Sequence, residues 1–305
     1  MTGCKDIDFT CKDGSCLTLS RRCDGKEDCG DGSDEVGCKT IKIFKGYNKR
    51  LVPTPIGMET KFIMNISIFI NDILAIDEIN GYFKTKMTMV RTWLNPQLKF
   101  INLKRRADDN MLSSEDVDSI WMPWTLTENI EHENELKKTS EKDMTKIIPN
   151  ADFNFTLSDK TSFQNTMIFE GSENAISFKS QASVNWICSF NLVWYPFDSQ
   201  VCLLHFIQAE GSIALNPVSV EYYGPKDLTL HSFKSVTICS LDNDERPGVV
   251  VKVHLGRPLF GSILNLFVPT GILVILSQMV CIFHKDFLDM VISVELTLML
   301  VLSTL

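Results

Sequence analysis

Charge is missing from one long stretch: residues 259–283 contain no Asp, Glu, Lys or Arg. Basic residues are in deficit, 30 Lys and Arg against 38 Asp and Glu, for a net charge of -8. That balance argues against a phosphate-backbone binder and excludes nucleic acid as an expected partner. Histidine is scarce, with 5 scattered copies. No His-Glu-x-x-His, Gly-x-Ser-x-Gly or phosphate loop occurs, so an enzyme is not expected. Apolar side chains are few between Cys4 and Cys38, chiefly Ile7, Phe9, Leu17 and Leu19. A core that small does not offset chain entropy unaided. The chain as a whole has 305 residues and is 44% hydrophobic, enough for one large or two ordinary domains with a buried core.

Six of the 10 cysteines fall in the first 38 residues, a density that an oxidising compartment favours. The sequons Asn65-Ile-Ser67 and Asn154-Phe-Thr156 make Asn65 and Asn154 glycosylation candidates in the same compartment. No basic and apolar leader precedes Cys4, so the chain is expected to be a fragment whose leader has been lost.

Within Cys4, Cys11, Cys16, Cys23, Cys29 and Cys38 lies Cys23-Asp-Gly-Lys-Glu-Asp-Cys29-Gly-Asp-Gly-Ser-Asp34-Glu35. Carboxylates gathered around glycines offer oxygen donors suited to calcium rather than zinc, the bland alternative being a solvated acidic loop. The whole stretch resembles a low-density-lipoprotein receptor class A repeat. The resemblance implies three disulfides, Cys4 with Cys16, Cys11 with Cys29 and Cys23 with Cys38. It also implies a calcium cage of Asp24, Asp28, Asp34 and Glu35 side chains with the carbonyls of Arg21 and Lys26. Ligand-capturing repeats often carry Trp where this chain has Arg21, which puts capture of basic ligands in doubt.

From Met58 to Leu98 apolar residues alternate, as at Phe62, Met64, Ile66, Ile68 and Ile70 and again at Met87 and Met89, around Asn80-Gly81. Period-two patterning predicts antiparallel strands with one buried face. Short strands are also expected at Ala175–Cys188, Val201–Gln208 and Val249–Leu255, the pattern of a β-sandwich. The mostly charged Glu128–Lys146 is expected to be a solvated loop. Cys188 and Cys202 enclose Ser-Phe-Asn-Leu-Val-Trp-Tyr-Pro196-Phe197-Asp198-Ser-Gln-Val. This segment resembles the signature loop of the Cys-loop pentameric ligand-gated ion channels, and the likeness runs from about Gly46 to the last residue. Ile76-Asp77-Glu78, Trp93 with Leu98 (Asn95 standing where the family pattern has Asp), Ile120-Trp121-Met-Pro123, Arg257-Pro258-Leu-Phe and Val268-Pro269-Thr270 support it. The resemblance implies a Cys188–Cys202 disulfide and a coupling element at Pro196, Phe197 and Asp198 that touches membrane helices. A disulfide that only stabilises a hairpin by about 3 kcal/mol is compatible with it.

In family members that bind amines, aromatic side chains box the cation at a subunit interface. Counting from the motif anchors, the corresponding positions are Thr88, Glu128, Ala209 and Glu245, none aromatic. A single Cys239 stands where acetylcholine-binding subunits carry an adjacent pair. Three readings stay open: a subunit that supplies structure beside others, a receptor whose Glu128 and Glu245 meet an amine or a proton, and a pocket displaced from these positions. Cys239 and Cys281 are expected to be free thiols of packing character.

Leu259–Phe283 is long enough to cross a hydrocarbon core of about 30 Å. Pro269 frees backbone groups that a neighbouring helix must satisfy, so the run belongs in a bundle. A second apolar run ends at Leu305, inside or at the end of the expected pore helix, with the family's last two membrane helices missing. Val291, Glu295, Leu298, Leu302 and Leu305 form one stripe at helical spacing. A carboxylate facing lipid costs about 2.5 to 3.5 kcal/mol, so the stripe is expected to face water. The resemblance puts Leu298 at the central gate, closing with Leu302 by dewetting, and Asp289 at the cytoplasmic mouth. Rings of Glu295 and Asp289 would favour cations; the alternative is a protonated or hydrogen-bonded Glu295 between helices.

The expected fold is therefore multidomain: a disulfide-rich calcium-binding repeat over 1–39, an antiparallel β-sandwich over 40–258 and α-helical transmembrane segments over 259–305. The expected protein is a subunit of a homo- or hetero-pentameric channel in the plasma membrane, at a synapse or elsewhere. Its N-terminal domains are extracellular, calcium is the cofactor, and the small-molecule agonist is unidentified. The alternative is an anchored adhesion receptor that binds an extracellular protein partner through the repeat.

Overall fold

The computed structural model describes residues 4, 8–54, 61–123, 125–130, 143–157, 166–208, 211–228, 231–241, 248–280, 292–293 and 296–297. By contact the chain divides into two compact units. One comprises Met1–Cys188, Leu203–Gly224 and Val236–Lys252, and the other Ser189–Cys202, Pro225–Ser235 and Val253–Leu305.

At the start of the first unit, β1 (Asp8–Thr10) pairs antiparallel with β2 (Cys16–Thr18). Phe9 is fully buried, with Leu17 and Leu19 beside it in the buried set and the Arg22 guanidinium stacked 4.4 Å from the Phe9 ring centroid. The cysteines bond as Cys4–Cys16, Cys11–Cys29 and Cys23–Cys38. Three covalent links substitute for the apolar core that so few residues cannot build.

There follow β3 (Ile41–Ile43), β4 (Phe62–Asp77), β5 (Tyr82–Leu94), β6 (Leu98–Ile101) and the short helix α1 (Ser114–Ser119), whose N-cap Ser113 accepts from Asp116 N–H at 3.2 Å. Then come β7 (Thr125–Glu128), β8 (Met144–Ile148), β9 (Thr156–Leu157), β10 (Met167–Glu170) and β11 (Ala175–Ile187). The last strands are β12 (Ser199–Gln208), β13 (Ile213–Tyr222), β14 (Ser232–Leu241) and β15 (Gly248–Gly256). They form sheets ordered β3-β6-β10-β9, β13-β4-β5-β11-β8 and β14-β15-β12-β7. The alternation of β4 is realised: Phe62, Met64, Ile66, Ile68 and Ile70 are all buried. Within the first unit, Trp186 of β11 meets Phe206 of β12 edge to face at 5.4 Å, and both are buried between their sheets. This is β-sandwich packing. The Trp186 indole N–H donates to Thr85 Oγ1 at 2.9 Å, so the buried donor is satisfied.

Where the sequence suggested a solvated loop through Lys146, residues 144–148 instead form β8, antiparallel to β11. The charge of the segment hides a period of two, since Thr145 and Ile147 are buried while Met144 and Ile148 face solvent. Asn95 closes a turn with its Oδ1 accepting from Gln97 N–H at 3.1 Å, while its Nδ2 donates to the Tyr47 hydroxyl at 3.3 Å. An aspartate there would lack that donor. The same turn is crossed by Gly171, where a Cβ would lie 2.2 Å from the Asn95 carbonyl oxygen.

In the second unit, Leu259–Val280 is helical throughout but in three pieces: α2 (Leu259–Ser262), a π turn (Ile263–Phe267) and α3 (Val268–Val280). Pro269 has no N–H and its ring crowds the carbonyl four residues back, which accounts for the widened turn just before it. Among the described residues no helix is long and apolar enough to cross a membrane.

Candidate functional site

Cys188 and Cys202 are both disulfide-bonded. Inside the loop that they bound, Asp198 and Arg257 form a buried ion pair, each side chain only 3% exposed. The guanidinium donates from Nε to Oδ1 at 2.8 Å and from an Nη to Oδ2 at 3.0 Å, the two-pronged geometry that suits Arg and carboxylate. Gln200 Nε2 donates to Asp198 Oδ2 at 2.6 Å and to the Asn191 carbonyl at 2.8 Å, while its Oε1 accepts from Asn191 N–H at 2.9 Å. The guanidinium also lies 4.6 Å from the Tyr195 ring centroid. These donors, Arg257 first, hold the Asp198 carboxyl below the usual range.

Around this rigid anchor the loop turns apolar side chains outward. Val193 is 80% exposed, Trp194 75% and Phe197 69%, while Pro196 is buried. Such a run of exposed apolar groups marks a contact surface. At the tip of the β4–β5 hairpin, Asp77 Oδ1 accepts from Ile79 and Asn80 N–H, and these bonds lower its pKa. Gly81 takes φ +70° in that turn and accepts through its carbonyl from Cys188 N–H at 2.8 Å. The hairpin tip and the root of the cysteine loop are thus tied by a main-chain bond.

Of the four ligand-facing candidates, Ala209 and Glu245 lie outside the described residues. Thr88 is buried on β5, and its hydroxyl donates to Asn71 Oδ1 at 2.8 Å. Glu128 is exposed at the end of β7, directly across from His205 of β12. Thr88 and Glu128 therefore belong to different sheets. Sequence reasoning missed Arg91, buried on the same strand as Thr88, which donates to Pro123 O and Ser180 Oγ, both at 3.2 Å, and covers the Phe178 ring at 4.5 Å. Burial pushes its pKa down to about 10, against the opposing pull of Asp143. The available signal was a lone charge at a period-two core position.

In the repeat, Asp34 is fully buried, its carboxylate accepting from Asp28 N–H at 2.8 Å and Cys29 N–H at 3.3 Å. Glu35 Oε1 accepts from Asp24 N–H at 2.9 Å, and Asp24 Oδ1 from Lys26 N–H at 3.0 Å. Arg21 extends to within 3.9 Å of Asp28. The donor set fits a hard divalent cation in kind: all oxygen, with one carboxylate wholly buried and the others laced to the same loop. Among the described residues, however, no three His, Cys, Asp or Glu side chains stand at metal-holding spacing, and Asp24, Asp34 and Glu35 accept from main-chain N–H groups.

Asp289, Glu295, Leu298 and Leu302 lie outside the described residues. Asn154 is exposed, whereas Asn65 sits within β4 with its Oδ1 accepting from Asn216 Nδ2 at 2.8 Å. Cys239 is an exposed free thiol; Cys281 lies outside the described residues.

The chain thus combines a disulfide-knit N-terminal module, a β-sandwich and a cysteine-bounded loop that carries a buried ion pair. The model of the neurotransmitter-gated ion-channel ligand binding domain matches residues 39–221, and that of the low-density lipoprotein receptor domain class A matches residues 2–38. The chain belongs to the neurotransmitter-gated ion-channel family, whose members are not enzymes, and carries a class A repeat at its N-terminal end. It is 23% identical over 303 residues to the gamma-aminobutyric acid receptor subunit beta-like protein of Drosophila melanogaster, covering 93% of this chain and 56% of that protein. Over 35 residues it is 57% identical to SCO-spondin of Bos taurus, covering 12% of this chain and 1% of that protein. Over 51 residues it is 43% identical to low-density lipoprotein receptor-related protein 10 of Homo sapiens, covering 17% of this chain and 7% of that protein. The chain thus spans about half the length of the channel-subunit relative and a small part of the others.

Proposed function

We propose that the chain is the receptor half and first membrane segments of a ligand-gated channel subunit, assembled as a homo- or hetero-pentamer in the plasma membrane. The observation that carries the proposal is the loop anchored by Asp198 and Arg257, with Val193, Trp194 and Phe197 turned outward. It is a stiff lever with an apolar tip, suited to transmit a shift of the sandwich to helices that follow Arg257. Thr88 and Glu128 occupy different sheets, and the pocket lies at an interface between neighbouring subunits. Glu128 favours a ligand with an amine, and the amino-acid ligand named for the fly relative has one. Leu259–Phe283 crosses the membrane, Leu298 and Leu302 gate, and Glu295 with Asp289 favour cations. The domain limits 1–39, 40–258 and 259–305 belong to this proposal. So does glycosylation of Asn65 and Asn154.

The repeat binds calcium through Asp24, Asp28, Asp34 and Glu35 with the Arg21 and Lys26 carbonyls. When bound, the ion neutralises the clustered carboxylates. An extracellular protein partner of the repeat belongs to the same reading.

The test is voltage clamp of cells that express the full-length subunit, alone and with candidate co-subunits, against amines, amino acids and pH steps. A ligand-evoked current is expected, with a reversal potential that follows sodium and a weakened sodium preference in Glu295→Gln. A current that follows chloride would overturn the selectivity reading. Surface protein without current under any condition would overturn the channel reading.

A further inference from the structure

The class A repeat and the sandwich meet at one lysine. Lys104, in the loop after β6, donates through Nζ to the carbonyls of Ser20 and Arg22 in the repeat, both at 2.9 Å. Its own backbone is fixed: Lys104 N–H donates to Asn110 Oδ1 at 2.7 Å, and Asn110 Nδ2 donates back to Lys104 O at 2.8 Å and to Arg106 O at 3.2 Å. Asn110 is itself buried. Asn102 of the same loop sends Nδ2 to Cys23 Sγ at 3.8 Å and anchors on Met167 N–H through Oδ1 at 3.1 Å. A polar cavity of about 80 Å³ lies at this junction, lined by Cys23, Cys38, Lys39, Asn102, Lys104 and Asp109 among others. The ammonium is half-buried, and burial lowers its pKa against the attraction of Asp24, Glu35 and Asp109.

Two of those three carboxylates, Asp24 and Glu35, are the proposed calcium ligands. We infer that Lys104 couples calcium binding in the repeat to the sandwich: its ammonium is seated on the Ser20 and Arg22 carbonyls beside Asp24 and Glu35, so the lysine and a divalent cation compete for the same negative field. The sign follows from charge. A cation held by Asp24 and Glu35 cancels part of the attraction that seats the ammonium, and the seated ammonium in turn repels the cation. Linkage makes the effect reciprocal, so the factor by which Lys104 weakens calcium is the factor by which calcium loosens Lys104. Calcium concentration would thereby change how firmly the loop after β6 holds the repeat.

This inference rests on the calcium reading of the repeat, and the experiment separates the two. Calcium binding is measured calorimetrically on the full chain and on Lys104→Met, Lys104→Gln and Lys104→Arg. Hydrogen exchange of residues 98–111 is followed with and without calcium. Disulfide mapping confirms the three bridges in each variant, and Lys104→Gln decides if Lys104→Met is misbridged. Removing the charge is expected to tighten calcium binding by about fivefold, with Lys104→Arg close to the parent. Calcium is expected to speed exchange in residues 98–111 of the parent and not in the neutral variants. Equal calcium affinity in parent and neutral variants, or weaker binding in the latter, overturns the coupling alone. No calcium binding in any of them overturns the calcium reading and the coupling with it.

Discussion

Arg257→Met is expected to destabilise the loop-bearing unit by about 3–5 kcal/mol, because it leaves a buried carboxylate without its cation. The Asp198 side chain is 3% exposed and would retain the Gln200 amide while losing two charge-assisted bonds. Adding Asp198→Asn removes the stranded charge and should recover most of the loss, which a thermal unfolding comparison of the single and double variants reads directly. The pH dependence has a defined sign. A carboxylate whose folded pKa is depressed contributes fully above its unfolded value, about 3.9, and that contribution is lost as pH falls through the folded value. The parent's contribution from the pair should therefore be constant near neutrality and fade on acidification below about pH 4, whereas the gap to Arg257→Met should begin to close at higher pH, because the stranded buried carboxylate of the variant takes up its proton earlier. A single variant as stable as the parent would contradict a structural role for the pair.

The second large effect belongs to the repeat. Cys11 and Cys29 are 4% and 3% exposed, and their bridge spans a sequence separation of 18. Replacing both with serine removes a constraint of about 2–5 kcal/mol from a module whose buried apolar side chains, cysteines apart and among the described residues, are Phe9, Leu17 and Leu19. Unfolding of residues 4–38 is expected at 37 °C, read as loss of protease resistance in that segment while the sandwich fragment survives. Unchanged resistance would mean that contacts such as Lys104 with Ser20 and Arg22 hold the repeat without its second bridge.

The sequence patterns that proved legible are those in which one local rule dominates. Alternation at Phe62–Ile70 foretold β4 because one face of a strand must be buried, and Asn80-Gly81 marked its hairpin. The expected strands at Ala175–Cys188 and Val249–Leu255 differ from β11 and β15 by a residue or so at their ends. β8 was hidden because Lys146 and the charges before it outweigh two buried positions, Thr145 and Ile147. Arg91 left only its position in the buried phase of β5 as a signal and Lys104 left none, because their partners, Ser180 and Arg22, are 89 and 82 residues distant. Gln200 was likewise invisible as the brace of Asp198, since a glutamine inside a polar loop has no local signature. Arg257 was noticed as part of a motif, but its pairing with Asp198 across 59 residues required the fold.

Central to the proposed channel function, the loop from Cys188 to Cys202 transmits rather than merely stabilises. Phe197 isolates that claim, since its side chain is 69% exposed and its truncation leaves the Asp198–Arg257 anchor in place. The measurement is ligand-evoked current per surface receptor in cells expressing full-length Phe197→Ala, with surface protein quantified by labelling on the same cells. Parental surface levels are expected, with most of the current lost. Parental current per receptor would contradict transmission by the loop.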